Sequence, residues 1–108
     1  MALCHYPRMN LKSFDEQLHE ELRDPEFAGA YLQDAWDDTL EVFLAALRKY
    51  IQANGGMSLC AEMAHISREA LYRMLSEKGN PELRSIRAVL EACGLHLAFT
   101  WAPELTAA

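Results

Sequence analysis

The apolar positions of this chain repeat at helical spacing along most of its length. Ser13 and Glu16 have the spacing of a capping box, in which the two side chains satisfy backbone N–H groups at a helix start. Phe14, Leu18 and Leu22 then fall on one helical face. The pattern therefore predicts a first short helix that ends near residue 23.

A second and a third helix are predicted to follow. Asp24 can cap the second helix, and Pro25 suits its first position, where a backbone N–H is not needed. The predicted buried stripe of this helix contains Phe27, Tyr31, Ala35 and Trp36. Asp37-Asp38-Thr39 either interrupts the helix or lies within it. The stripe then continues at Leu40, Phe43, Leu44, Leu47 and Ile51, and Asn54-Gly55-Gly56 ends it.

Two short helices are predicted next. Ser58 is expected to cap the first of them, residues 59–64, and His65-Ile66 then turns the chain before Ser67 caps residues 68–76. The inward face of the second helix contains Ala70, Leu71, Met74 and Leu75, and its outward face contains Arg68, Glu69, Tyr72, Arg73 and Ser76. This layout is that of a helix-turn-helix.

The C-terminal part changes its period. Leu83, Ile86, Val89, Leu90 and Cys93 predict one more amphipathic helix, which closes at Gly94. Residues 95–101 then alternate between apolar and other side chains, which predicts a short β-strand. With no second strand evident, this strand is expected to pair across a two-fold axis with another copy, or with a strand of a different protein. The expected fold is all-α with this one added strand.

The length of 108 residues, 51% of them hydrophobic, indicates one soluble domain. Four regions are expected within it: a tail at 1–10, an acidic helical region at 11–54, a helix-turn-helix region with the strand at 55–101, and a tail at 102–108. The longest apolar run covers only residues 42–47, far short of the ~20 residues of a membrane helix. Because the N-terminus lacks the order of a secretory signal, the protein is expected to be cytoplasmic, away from membranes.

Charge is distributed unevenly along the chain. The net charge is −6, but residues 11–41 hold ten acidic and two basic side chains, whereas residues 58–87 hold five basic and four acidic ones. The two halves are therefore expected to meet different partners. The arginines cluster in the predicted helix-turn-helix, where phosphate binding would need local positive charge.

The second helix of a helix-turn-helix enters the major groove of double-stranded DNA. Arg68 and Arg73 can donate to guanine, and Glu69 can accept from cytosine. Tyr72 offers its ring to a thymine methyl group or its hydroxyl to phosphate. The candidates for phosphate contacts are Ser58, Ser67, Lys78, Asn80 and Arg84. The alternative interpretation is that these side chains are ordinary surface residues, with Glu69 and Arg73 forming an i,i+4 pair and the ring of Tyr72 folding onto the edge of the core.

Other chemistries have weaker support. Cys4, Cys60 and Cys93 are odd in number and irregularly spaced, which fits reduced structural thiols. Cys93 and His96 have a ligand-like spacing, but the helical pattern already places Cys93 in the core. No nucleophile with an adjacent base and no glycine-rich phosphate loop is evident. No enzyme activity, metal or cofactor is therefore expected.

Several segments together resemble one protein family. They are Asp24-Pro25-Glu26-Phe27, Tyr31-Leu32, Ala46-Leu47-Arg48, Gly55-Gly56-Met57-Ser58, Ser67-Arg68-Glu69-Ala70-Leu71-Tyr72-Arg73, Leu75-Ser76 and Gly79-Asn80-Pro81. In this order, over roughly residues 11–101, they resemble the HigA-type addiction-module antidotes, whose DNA-binding unit is of the Cro and phage-repressor class. The resemblance implies a lambda-repressor-like helix-turn-helix and an antitoxin that neutralises a RelE/HigB-like ribonuclease toxin. It also implies a homodimer that represses the shared operon.

Two positions depart from the family pattern. His65 stands where the turn usually has glycine, and Cys60 stands where leucine is usual. Histidine tolerates a left-handed backbone better than most residues, and cysteine packs as a small apolar side chain. An alternative function stays open: a protein-only neutraliser or adaptor in which the helix-turn-helix is a structural scaffold.

Overall fold

The computed structural model describes residues 13–103, and the elements are six helices within that range. They are α1 (Phe14–Glu21), α2 (Pro25–Asp38), α3 (Leu40–Ala53), α4 (Met57–Ala64), α5 (Arg68–Met74) and α6 (Leu83–Ala92). The all-α prediction is confirmed for this part of the chain. The predicted tail at 1–10 lies outside it, as do Cys4 and residues 104–108 of the predicted C-terminal tail. None of the six helices is long and apolar enough to cross a membrane.

The predicted helix caps of the N-terminal half are present. Ser13 and Glu16 form the reciprocal capping box of α1. Asp24 accepts a hydrogen bond from the Glu26 backbone, and Pro25 occupies the first position of α2. Thr39 is extended and its side chain accepts from the Val42 backbone at 3.1 Å, so it ends α2 and caps α3. The sequence pattern did not show whether residues 37–39 interrupt the helix, and the Thr39 cap shows that they do.

The main core lies between α2, α3, α4, α5 and α6. Its most completely buried side chains include Leu44, Leu47, Leu71 and Val89. A smaller cluster fixes α1: it consists of Leu18, Leu22, Ala28 and Ala53. The Asn54 side chain also donates to the Leu22 carbonyl at 3.0 Å, which joins the end of α1 to the end of α3.

Four positions predicted on the apolar faces of helices are wrong. They are Phe14, Trp36, Leu40 and Leu83, which lie on the surface, with Phe14 79% and Leu83 74% exposed. In α2 the buried stripe runs through Ala28 and Leu32 with Ala35, a rotation that turns Trp36 outward. The rotation was not predictable, because both faces of α2 carry apolar side chains and only the neighbouring helices choose between them.

The predicted β-strand at 95–101 is also wrong for the structure as described, which contains only helices and irregular segments. Gly94 has a φ of 78°, and its left-handed turn ends α6 as expected. Leu95 then returns to the Leu90 carbonyl through a 2.8 Å hydrogen bond and packs on the core. Beyond it, Phe99 and Trp101 are largely exposed. A β-strand requires a second strand to hydrogen-bond with, and residues 13–103 of a single copy contain no such strand.

Candidate nucleic-acid interface

The helices α4 and α5 are joined by the three-residue turn 65–67. His65 adopts a left-handed conformation, φ 61° and ψ 40°, and its backbone N–H donates to the Glu62 carbonyl. Ile66 donates to the Ala61 carbonyl at 3.0 Å and is half-buried against the core. Ser67 then caps α5 by accepting from the Ala70 backbone at 3.0 Å. The predicted turn and the predicted Ser67 cap are confirmed.

The short helix α5 has one buried and one exposed face. Leu71 is fully buried and Met74 nearly so, which seats the helix on the core. Arg68, Glu69 and Arg73 are exposed on the other face. Because buried residues fix the axis of α5, the charged side chains lie on a defined surface.

Tyr72 was predicted on the outward face of α5, but it is half-buried at the edge of the exposed surface. Its ring packs against the main core, and two guanidinium groups approach it: Arg48 Cζ lies 5.4 Å and Arg68 Cζ 5.7 Å from the ring centroid. Both distances are within the range of cation–π attraction. Arg48 could not be predicted as a neighbour of Tyr72, because it belongs to α3 and only the fold brings the two side chains together.

The remaining candidates are spread around this face. Ser58 is exposed, but the prediction that it caps α4 is wrong: α4 begins at Met57 and its N-cap is Gly56, whose φ is 92°. Lys78 and Asn80 are exposed in the loop after α5, and Arg84 is exposed in the first turn of α6. Among the described residues, no hydrogen bond or ion pair joins these four side chains to Arg68 or to one another.

The loop after α5 passes very close to the helix end. A Cβ on Gly79 would lie 2.1 Å from the Met74 carbonyl oxygen, so only glycine fits there. The Gly79 N–H donates to the Ser76 carbonyl, and the Ser76 hydroxyl donates to the Arg73 carbonyl at 2.7 Å. These contacts hold the loop with Lys78 and Asn80 beside the C-terminal end of α5.

The two described cysteines are packed together inside the protein. The Sγ atoms of Cys60 and Cys93 lie 3.4 Å apart, and both thiols are free. Burial raises the pKa of both thiols, and the hydrogen bond from Cys60 raises that of Cys93 further. A raised pKa lowers the thiolate fraction, which disfavours a nucleophilic role. Within residues 13–103 no group of His, Cys, Asp and Glu has the arrangement of a metal site.

The geometry defines a small helical protein with an arginine-bearing short helix on its surface. The family model described as "Probable addiction module antidote protein" matches residues 10–101. The chain therefore belongs to this family of addiction-module antidotes, that is, of antitoxins with a cognate toxin partner. An uncharacterised protein of Haemophilus influenzae is 38% identical over 86 residues, which cover 79% of this chain and 86% of the relative. No solved structure gives a significant match.

Proposed function

We propose that this antitoxin binds operator DNA through α4 and α5, which act as a helix-turn-helix, and that it represses its own toxin–antitoxin operon as a dimer. The exposed face of α5 carries the proposal. Arg68, Glu69 and Arg73 project from a helix whose other side is anchored by Leu71. A short helix of this kind fits the major groove, and its arginines donate to guanine in pairs of hydrogen bonds.

Tyr72 gives the proposed interface a fixed point at its edge. Attraction between its ring and the guanidinium groups of Arg48 and Arg68 holds positive charge at the edge of α5. Ser58, Ser67, Lys78, Asn80 and Arg84 are assigned to phosphate contacts. The local positive charge of α5 offsets the overall charge of −6 at the surface that would face DNA.

The dimer would present two α5 helices to a palindromic operator. Their half-sites are expected one turn of DNA apart, about 34 Å between centres. The toxin partner of the antitoxin is proposed to be a ribonuclease of the RelE/HigB kind. This assignment predicts that the purified antitoxin stops RNA cleavage by the purified toxin at equal stoichiometry.

The test is a titration against the DNA that flanks the gene, at two salt concentrations and with a scrambled duplex as competitor. Arg68→Ala and Arg73→Ala are each expected to weaken specific binding by about 1–3 kcal/mol, because each removes donors to one base. Arg87→Ala is the matched control, since Arg87 pairs with Glu91 on the exposed side of α6. Its binding should equal that of the wild type.

Two results would contradict the DNA-binding assignment. If both arginine variants bound the operator like the wild type, α5 would not be the reading helix. If the wild type bound the operator and the scrambled duplex alike, or neither of them, the protein would be a protein-only neutraliser in which α4 and α5 serve as a scaffold. A titration of the toxin with the same protein samples then tests whether toxin binding is kept in each case.

A further inference from the structure

A second surface of the molecule is an open apolar groove of about 370 Å³. The helix α2 forms one wall, with Leu32, Trp36 and Asp37 facing the groove. The irregular segment 95–102 forms the other wall, and Phe43 and Leu90 also line it. None of the proposed DNA-contacting residues lines this groove.

The groove exposes large aromatic side chains. Trp36 is 54% exposed and stacks edge-on against Phe43, with 5.1 Å between the ring centroids. Phe99 is 90% exposed on the opposite wall. A contiguous apolar surface with aromatic walls is typical of a protein interaction site, since exposure of such rings to water is unfavourable.

The charged side chains around the groove restrict the kind of partner that can bind there. Six acidic and no basic side chains lie in residues 24–47, which include α2 and more than half of α3, and of these acids Asp37 lines the groove itself. Asp37 stands on the groove rim, where the Gln33 amide donates to it at 3.1 Å. The other groove wall, residues 95–102, contains no Asp, Glu, Lys or Arg side chain. A fitting partner therefore combines apolar side chains with positive charge.

We propose that the cognate toxin docks in this groove with a basic, amphipathic segment. The inference rests on the proposed function, because a toxin that cleaves RNA is expected to carry the basic surface that binds RNA. Apolar side chains of the segment would pack between Trp36 and Phe99. Its lysines or arginines would face Asp37 and the other acids of α2.

A second copy of this chain fits the groove less well. In a two-fold dimer the same patch meets itself, so the acidic side chains of one α2 would approach those of the other. Like charges placed opposite each other oppose association.

The test measures the affinity of the purified full-length antitoxin for the purified toxin encoded beside it. Phe99→Ser is expected to weaken toxin binding about tenfold or more, because the ring would be a buried anchor of the complex. Since Phe99 is 90% exposed, the fold does not depend on it. Asp37→Lys should weaken binding by a similar factor at low salt and by less at high salt, because salt screens charge.

Matched controls are available on α1, away from the groove. Phe14→Ser removes another exposed ring, 79% exposed, and Glu21→Lys makes the same charge change as Asp37→Lys. Both controls should bind the toxin within about twofold of the wild type, since surface changes away from an interface cost little. Operator binding by Phe99→Ser should be unchanged.

Three outcomes would overturn the groove assignment. The first is toxin binding by Phe99→Ser and Asp37→Lys at wild-type affinity. The second is a dimer that dissociates in Phe99→Ser while toxin affinity is kept, which would give the groove to a second copy. The third is a wild-type protein that binds the operator but not the toxin, which would also contradict neutralisation. If the wild-type protein bound the toxin but not the operator, the proposed DNA-binding role would be contradicted and the groove assignment would stand.

Discussion

The α5 face and the groove differ in nearly every physical property, although one helix supports both. The α5 face is charged and carries arginines on an anchored helix, whereas the groove is aromatic and acidic. Within α3, Phe43 lines the groove and Arg48 reaches the ring of Tyr72 beside α5. One small core can therefore support two surfaces of opposite chemistry, one that suits a negatively charged partner and one that suits a positively charged partner.

The α5 face and the groove depend on the same hydrophobic core. Leu71 lies on the inner face of α5 and is fully buried in the main core, which also contains Phe43. Leu71→Ala should lower the free energy of unfolding by about 2–5 kcal/mol, because it removes packed atoms and leaves a cavity. Chemical denaturation measures this loss. Operator and toxin binding should then fall together wherever the variant unfolds.

The matched control for this change is Leu83→Ala. Leu83 is 74% exposed, so its truncation should change the free energy of unfolding by less than about 0.5 kcal/mol. An equally small effect of Leu71→Ala would show that α5 is not seated on the core as described. If Leu71→Ala kept its full stability and lost only operator binding or only toxin binding, the α5 face and the groove would not depend on the same core.

Local patterns predicted much of this fold. The caps at Ser13, Asp24 and Ser67 follow from interactions between residues close in sequence, and all three are present. Predictions that depended on tertiary contacts were less successful. Trp36 is 54% exposed because the face of α2 that packs on the main core carries Leu32 and Ala35, and a repeat pattern contains no information on which face is chosen.

The candidate interface shows the same limit. The outward side chains of α5 follow from helical spacing, and the structure exposes Arg68, Glu69 and Arg73 as expected. Arg48 could not be found in this way, since 24 residues separate it from Tyr72. The strand at 95–101 was predicted from a correct alternation, but pairing requires an edge that local sequence cannot provide.

Ser67 has one confirmed role and one proposed role. It caps α5, and it is also a proposed phosphate contact. Ser67→Ala should lower the free energy of unfolding by about 1 kcal/mol through the lost cap. Ser67→Asp keeps a capping oxygen, so its stability should stay close to that of the wild type, while its new negative charge should weaken operator binding.

Thermal denaturation and operator titration of both variants separate the two roles. Toxin binding is the internal control, since Ser67 lies outside the groove and both variants should retain it. Unchanged operator affinity in Ser67→Asp would place Ser67 away from the DNA backbone. The weakening should also diminish at high salt if it is electrostatic.

The smallest expected effect concerns the turn that aims α5. His65 has a φ of 61°, a region that costs a non-glycine residue about 1–2 kcal/mol, although histidine is more tolerant than most. His65→Gly relieves that cost but adds freedom to the unfolded chain, worth about 0.4–1 kcal/mol. The net result should be a gain of a few tenths of a kcal/mol in the free energy of unfolding.

Denaturant titration of His65→Gly beside His65→Ala checks this balance, because alanine has the backbone cost without the polar ring. His65→Ala should be no more stable than the wild type, since a Cβ at positive φ remains strained. Operator affinity of His65→Gly should be unchanged, because the exposed ring is not a proposed contact. If glycine instead lowered the stability, the ring of His65 would have to hold the turn through contacts of its own, and the left-handed backbone would not be the main strain there.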